Sequence, residues 1–258
     1  MSGTEGILLA AGSGCYAVGA GFAWRARWSG VATWVLLGAA VFAAAIAVRW
    51  VALGQGPFLT MHEILVSSLF SLGLVFGVAC TRHPESCRGA PVATAVLLLL
   101  ALWMAFTDPQ SRPLPATYGN PWLWAHVLMG KLFLGCCLVA ASLAASCLLR
   151  INGAALNGAR LDQAAWRWLM LAFVFHSGML ITGAVWAQDA WGRYWAWDPL
   201  ETWAFATWLA MVFAFHAKVS YRLSPTTQRL FMIAVFMLAF LTFFGVPFIS
   251  VAPHKGAV

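Results

Sequence analysis

Between Trp191 and Phe205 the chain reads WGRYWAWDPLETWAF. Two carboxylates, Asp198 and Glu201, and one guanidinium, Arg193, stand among tryptophans, and six indoles fall between Trp186 and Trp208. One or two indoles beside an apolar helix serve as interfacial anchors. Six exceed that need, and a planar aromatic ligand is the simplest object for such an amphipathic surface. Asp198-Pro199-Leu200-Glu201 also has the chemistry of a helix start: Asp as N-cap, Pro at the first helical position, and an acid that can reach back to the cap. That capping role does not exclude a second one. Trp191 and Trp195 are four apart and Asp198 follows three later, so a helical turn here is expected to set two indoles and a carboxylate on one face.

The histidines supply a second kind of chemistry. His126 sits in NPWLWAHV and His254 in PFISVAPHKG, so two imidazoles flank the tryptophan segment from opposite sides in sequence. A single interfacial His is usually a polar residue in a tolerant place. Two beside an aromatic platform match the axial ligand set of a haem iron, which takes neutral imidazole readily. No CxxCH is present, so any haem held here is non-covalent, haem b, and the chain is not itself a c-type cytochrome. No general acid or base stands out, and no catalytic residue is assigned.

The elements that position these groups are membrane helices. A chain of 258 residues that is 62% hydrophobic and 9% charged has too little polar surface for a soluble globule of its size. Eight apolar runs, at about 6–23, 31–53, 62–80, 91–107, 122–149, 166–187, 200–219 and 228–249, approach the roughly 20 residues that cross a bilayer core of about 30 Å. The expected fold is an all-α polytopic membrane protein, one integral domain over 1–258, with the tryptophan-rich segment 187–208 within it.

Charge orients the bundle. Arg25, Arg27, Arg82, Arg88, Arg150, Arg160, Arg167, Lys218, Arg222 and Arg229 fall in or beside one set of connections, and this set is expected to face the cytoplasm. The opposite side carries Glu5, Glu63, Asp108, Asp189, Asp198 and Glu201, with Lys131 just inside a span. The tryptophan segment and both termini are therefore expected on the outer face of the inner (cytoplasmic) membrane. The net charge of +7 follows from this topology and requires no nucleic acid. The N-terminus lacks a basic n-region, so no cleavable signal is expected. The six cysteines lie in apolar spans or at the cytoplasmic face, which disfavours a disulfide framework.

The run GAVWAQDAWGRYWAWDPLETWAFATWLAMVFAFH resembles the tryptophan-rich WWD signature of the haem-handling proteins of cytochrome c biogenesis, in particular those of the CcsA/ResC type. The family pattern is roughly WGxYWxWDPKETW followed by a span ending in His. Trp191, Gly192, Tyr194, Trp195, Trp197, Asp198, Pro199, Glu201 and Trp203 match it, while Leu200 stands where Lys is usual. His62 stands where Tyr more often precedes Glu63, and His176 occupies a usually aliphatic position. The resemblance implies that His126 and His254 ligate haem iron on the WWD surface. It also implies that His216 binds haem within the membrane, with a partner ligand from a companion of the ResB/CcsB type. His176 is a candidate in-chain partner for His216, and Arg193 or Arg112 a substitute for the missing Lys.

The function so implied is transport of haem across the membrane and its presentation, within a holocytochrome c synthase, to an exported apocytochrome c bearing CxxCH. Two other readings stay open: a haem chaperone of the CcmC type that loads a carrier, and a membrane subunit that only docks a cytochrome.

Overall fold

The computed structural model describes residues 3–246. Eight long helices run through them, with no strand among the described residues: α1 (Gly3–Trp24), α2 (Trp28–Leu53), α3 (Met61–Arg82), α4 (Ala90–Ala105), α5 (Pro121–Leu148), α6 (Gly158–Trp191), α7 (Pro199–Ser220) and α8 (Pro225–Phe240). Seven stretches are long and apolar enough to cross a membrane, α8 together with the π-turn Leu241–Gly245 that extends it. Helix α7 matches them in length at 22 residues, but its indoles, hydroxyls and Glu201 lower its hydropathy. The chain is an integral membrane protein.

Start signals in the sequence set the helix boundaries. Asn120 precedes Pro121 and its side chain accepts from the Trp122 N–H; Ser224 precedes Pro225 and accepts from the Thr227 N–H. Each Pro fills a position whose N–H has no helical partner. Thr60 and Glu63 form a reciprocal capping box at the start of α3. The largest departure from expectation is α6, which begins near 158 rather than 166. Its polar first turns stay helical because Asp162 takes two bonds from Arg229 of α8, at 2.8 and 2.9 Å. At 34 residues it spans about 51 Å and extends past a hydrocarbon core of about 30 Å.

Helix α5 forms the centre. Residues 133–144 are all buried, as expected for a helix apolar on every side, and α3, α4, α6 and α8 pack around it. In the outer layer, Tyr16 of α1 lies over Gly38 and Gly73 and donates to the Leu69 carbonyl at 2.7 Å, which binds α1, α2 and α3 together.

The two ends differ in chemistry. At one end Asn152 donates to the Ala23 carbonyl, Trp168 to Ser86, and Arg160 approaches Glu85, which gathers the basic connections. At the other, Gln55 donates to the Arg112 carbonyl, Asn120 to Asp189, and Trp50 stacks on Trp124 with Phe58 edge-on to both. Beside them lies a buried ion cluster: Arg49 pairs with Glu5 and Glu63, each at 2.9 Å, and donates to the Pro109 carbonyl. This cluster ties α1, α2 and α3 to the loop that roofs the cavity described next.

Candidate functional site

At this second end a cavity of about 860 Å³ opens among α3, α5, α6, the start of α7 and the 106–118 loop. Its size falls in the range of small-molecule and cofactor sites. The π-turn after α8 brings Thr242 and Phe243 into the wall.

His126 is held in that wall by a hydrogen bond and by shape. Its Nδ1 lies 2.8 Å from the Met179 carbonyl, which can only accept. Nδ1 therefore carries the proton, and the lone pair of the neutral ring resides on Nε2, the form that ligates iron. Gly183, one turn beyond Met179, provides the room: a Cβ there would stand 2.6 Å from His126 Nδ1. Trp186 lies nearly parallel to the imidazole at 6.2 Å and anchors its own Nε1 on the Thr117 carbonyl at 3.0 Å. Tyr118 meets Trp186 edge-on, and burial raises its phenol above the ordinary value, so that it stays neutral.

The WWD segment folds differently from the helical turn expected of it. Gly192 takes the left-handed conformation (φ 73°) and ends α6 at Trp191, so Trp195 does not continue that helix face. Trp191 instead packs on Trp186 at 4.8 Å. Residues 193–198 form a non-helical strap between α6 and α7. Tyr194, Trp195 and Glu201 line the cavity, and Trp195 presents a buried Nε1 without a hydrogen-bond partner among the described residues. Trp197, Phe205 and Trp208 continue the aromatic surface outside it, with Phe205 and Trp208 parallel at 6.0 Å. Trp197 is two-thirds exposed and held at φ 57°, Trp203 is half-buried on α7, and Arg193 is exposed.

The capping expectation holds in one half. Asp198 caps α7 by accepting from the Glu201 N–H at 2.9 Å. Glu201 reaches back to the Ala196 N–H at 2.7 Å rather than to the cap residue. The reason is local: the strap bends at Trp197, which brings the Ala196 amide within reach.

The other predicted ligands separate. His254 lies outside the described residues. His216 is exposed near the basic end of α7, 3.4 Å from Ser220 Oγ. His176 is fully buried, stacked on Phe133 at 4.0 Å, with neither ring nitrogen hydrogen-bonded among the described residues. Among the described residues no hydrogen bond or ring contact joins the two.

Three groups that line the cavity escaped the sequence reading. Lys131 of α5 lines it, and an ionisable side chain inside a span is a functional candidate by default, which was the available signal. His62 lines it with a buried, unpartnered Nε2. Gly183 has no signal in a single sequence, since its role depends on a ring from another helix.

The family described as Cytochrome C assembly protein matches residues 58–254. Cytochrome c biogenesis protein CcsA of Prochlorococcus marinus (strain MIT 9515) is 26% identical over 241 residues, covering 80% of this chain and 77% of that protein. CcsA of Gossypium hirsutum is 36% identical over 96 residues, 37% of this chain and 30% of its own length. Among solved structures, Cytochrome c Heme Lyase CcmF superposes with a TM-score of 0.75 at 18% identity, over 95% of this chain and 47% of that one. That likeness is one of fold, and the chain spans about half of that longer protein.

Proposed function

The chain belongs to the Cytochrome C assembly protein family, and from that premise we propose that it carries haem to the outer face of the inner membrane and presents it to exported apocytochrome c. The observation that carries this reading is His126: an imidazole with its tautomer set by Met179, opening on a cavity of about 860 Å³ walled by tryptophans. Haem is the cargo. Its flat ring suits Trp186 and Trp195, and its iron suits Nε2 of His126, with His254 as the second ligand.

His216 is the candidate membrane-side ligand. Its exposure on α7 suits completion of the ligand set by a ResB/CcsB-type partner. The covalent step adds each cysteine S–H across a haem vinyl C=C, sulfur to one carbon and hydrogen to the other, so electrons balance without an oxidant. What this chain contributes is orientation: it holds the ring so that the vinyls meet the thiols. One iron ligand must then yield to the His of CxxCH. The WWD segment, 187–208, acts as the presenting surface of a single membrane domain.

An absorption spectrum of the protein purified from haem-replete cells tests the reading. A b-type pyridine haemochrome is expected, and loss of the Soret band in His126→Gly with recovery on added imidazole. A wild-type protein that neither copurifies with nor takes up haem would favour a subunit that only docks a cytochrome.

A further inference from the structure

Position 200, where the resembled pattern carries Lys, is Leu here and lines the cavity. The cavity therefore lacks a cation on its α7 side, and a different one faces it from α5. Lys131 Nζ lies 2.9 Å from Ser67 Oγ, 2.7 Å from Ser68 Oγ and 3.3 Å from the Ile64 carbonyl. Both hydroxyls already donate to that same carbonyl, at 3.0 and 2.6 Å. They therefore turn lone pairs towards Nζ, which suits an ammonium with three donors. Among the described residues no carboxylate pairs with it, since the ion pairs join Arg49, Arg160 and Arg229 to the acids. A cation held only by neutral dipoles in a low-dielectric wall calls for an anion. Its longest bond goes to a carbonyl already serving two hydroxyls, so that N–H is the one to exchange.

The second observation is on α3, next to Ile64. His62 is 4% exposed and lines the same cavity. Its Nδ1 lies 3.0 Å from Thr107 Oγ1, whose own proton goes to the Met104 carbonyl at 2.7 Å. Nδ1 therefore donates, and Nε2 is left as a buried lone pair without a partner. Such a group is costly unless a ligand satisfies it. A carboxylic acid does so by supplying the proton as well as the oxygen.

We propose that Lys131, with His62 on the same wall, forms a carboxylate subsite that takes a propionate of the haem. This rests on the haem reading above and adds which edge of the ring points inwards. Haem carries both propionates on one side, so seating them at α3 and α5 turns the opposite, vinyl-bearing side towards the WWD strap and the incoming thiols. The lost cation at 200 is thus replaced from across the cavity, by a residue 69 positions earlier in the chain.

The test compares binding of haemin and haemin dimethyl ester to the full-length detergent-solubilised protein. Wild type is expected to bind the free acid at least about tenfold more tightly, the effect of one charge-assisted hydrogen bond. Lys131→Met should bind both within about threefold of each other while keeping the wild-type iron spectrum, and Lys131→Arg should restore most of the preference. His62→Phe should weaken haemin but not its ester. If wild type binds both ligands alike, or Lys131→Met keeps the full preference, the carboxylate subsite is wrong and the haem reading stands. If wild type binds neither, the haem reading itself fails. Melting of Lys131→Met in the absence of ligand checks folding, and an apolar side chain at this span position is expected to leave it unchanged or raised.

Discussion

Gly183 and His126 interlock: the imidazole of α5 occupies the space where any side chain on that turn of α6 would begin, 2.6 Å from Nδ1 and 2.8 Å from Cε1. The same ring bonds to the Met179 carbonyl one turn away. Helix α6 thus supplies both the vacancy and the acceptor that set the ring's tautomer and angle. Gly183→Ala gains helix propensity of about 1 kcal/mol, so folding should not suffer, yet the imidazole must tilt off Met179. Haem retention is expected to fall about tenfold or more with helicity unchanged by circular dichroism. Retention equal to wild type would show that the ring's position is not what holds the iron.

Asp198 allows its capping role to be separated from any other. Asn caps about as well as Asp, so Asp198→Asn should melt like wild type, whereas Asp198→Ala should lose about 1 kcal/mol as the Glu201 N–H loses its acceptor. Asp198, the last residue of the strap, is buried, and removing its charge is expected to shift the reduction potential of bound haem in the Asn variant. An unchanged potential and haem content would confine Asp198 to architecture.

The Arg49 cluster predicts a large structural penalty. Replacing Arg49 with Met leaves Glu5 and Glu63 buried without their counter-charge, a change that costs about 3–5 kcal/mol. A thermal scan in detergent should show the loss, and the double variant Arg49→Met/Glu63→Gln should recover part of it. Gln keeps an oxygen for the Leu59 and Thr60 amides that Glu63 now serves. Equal melting of wild type and Arg49→Met would mean the cluster is solvated in the membrane.

Trp197 combines exposure with a left-handed backbone, which costs a residue with a Cβ about 1–2 kcal/mol. Trp197→Gly should therefore melt no lower than wild type. If the exposed indole is part of the presenting surface, the variant should still hold haem through His126 but transfer it poorly to an apocytochrome peptide bearing CxxCH. Normal transfer would reduce Trp197 to a geometric pin of the strap.

Much of this molecule is legible along the chain. The eight long helices follow from apolar runs, and three of their starts from Pro preceded by Asn, Asp or Ser at 120, 198 and 224, because length and capping are local properties. The tryptophan-rich segment is local too, since its indoles and acids lie within one short interval.

What tertiary structure decided are the relationships that cross helices. Trp195 left the face of Trp191 because Gly192 turned left-handed, an outcome that spacing alone leaves open. His126 acquired its tautomer from Met179, 53 residues away, and its space from Gly183. Lys131 took its place in the cavity wall only when Ser67 and Ser68 of α3 turned their oxygens towards it. A membrane span reveals its length and hydropathy in its own residues. The direction of a lone pair or a charge inside the bundle depends on which helix lies opposite, and that depends on packing between segments distant in sequence.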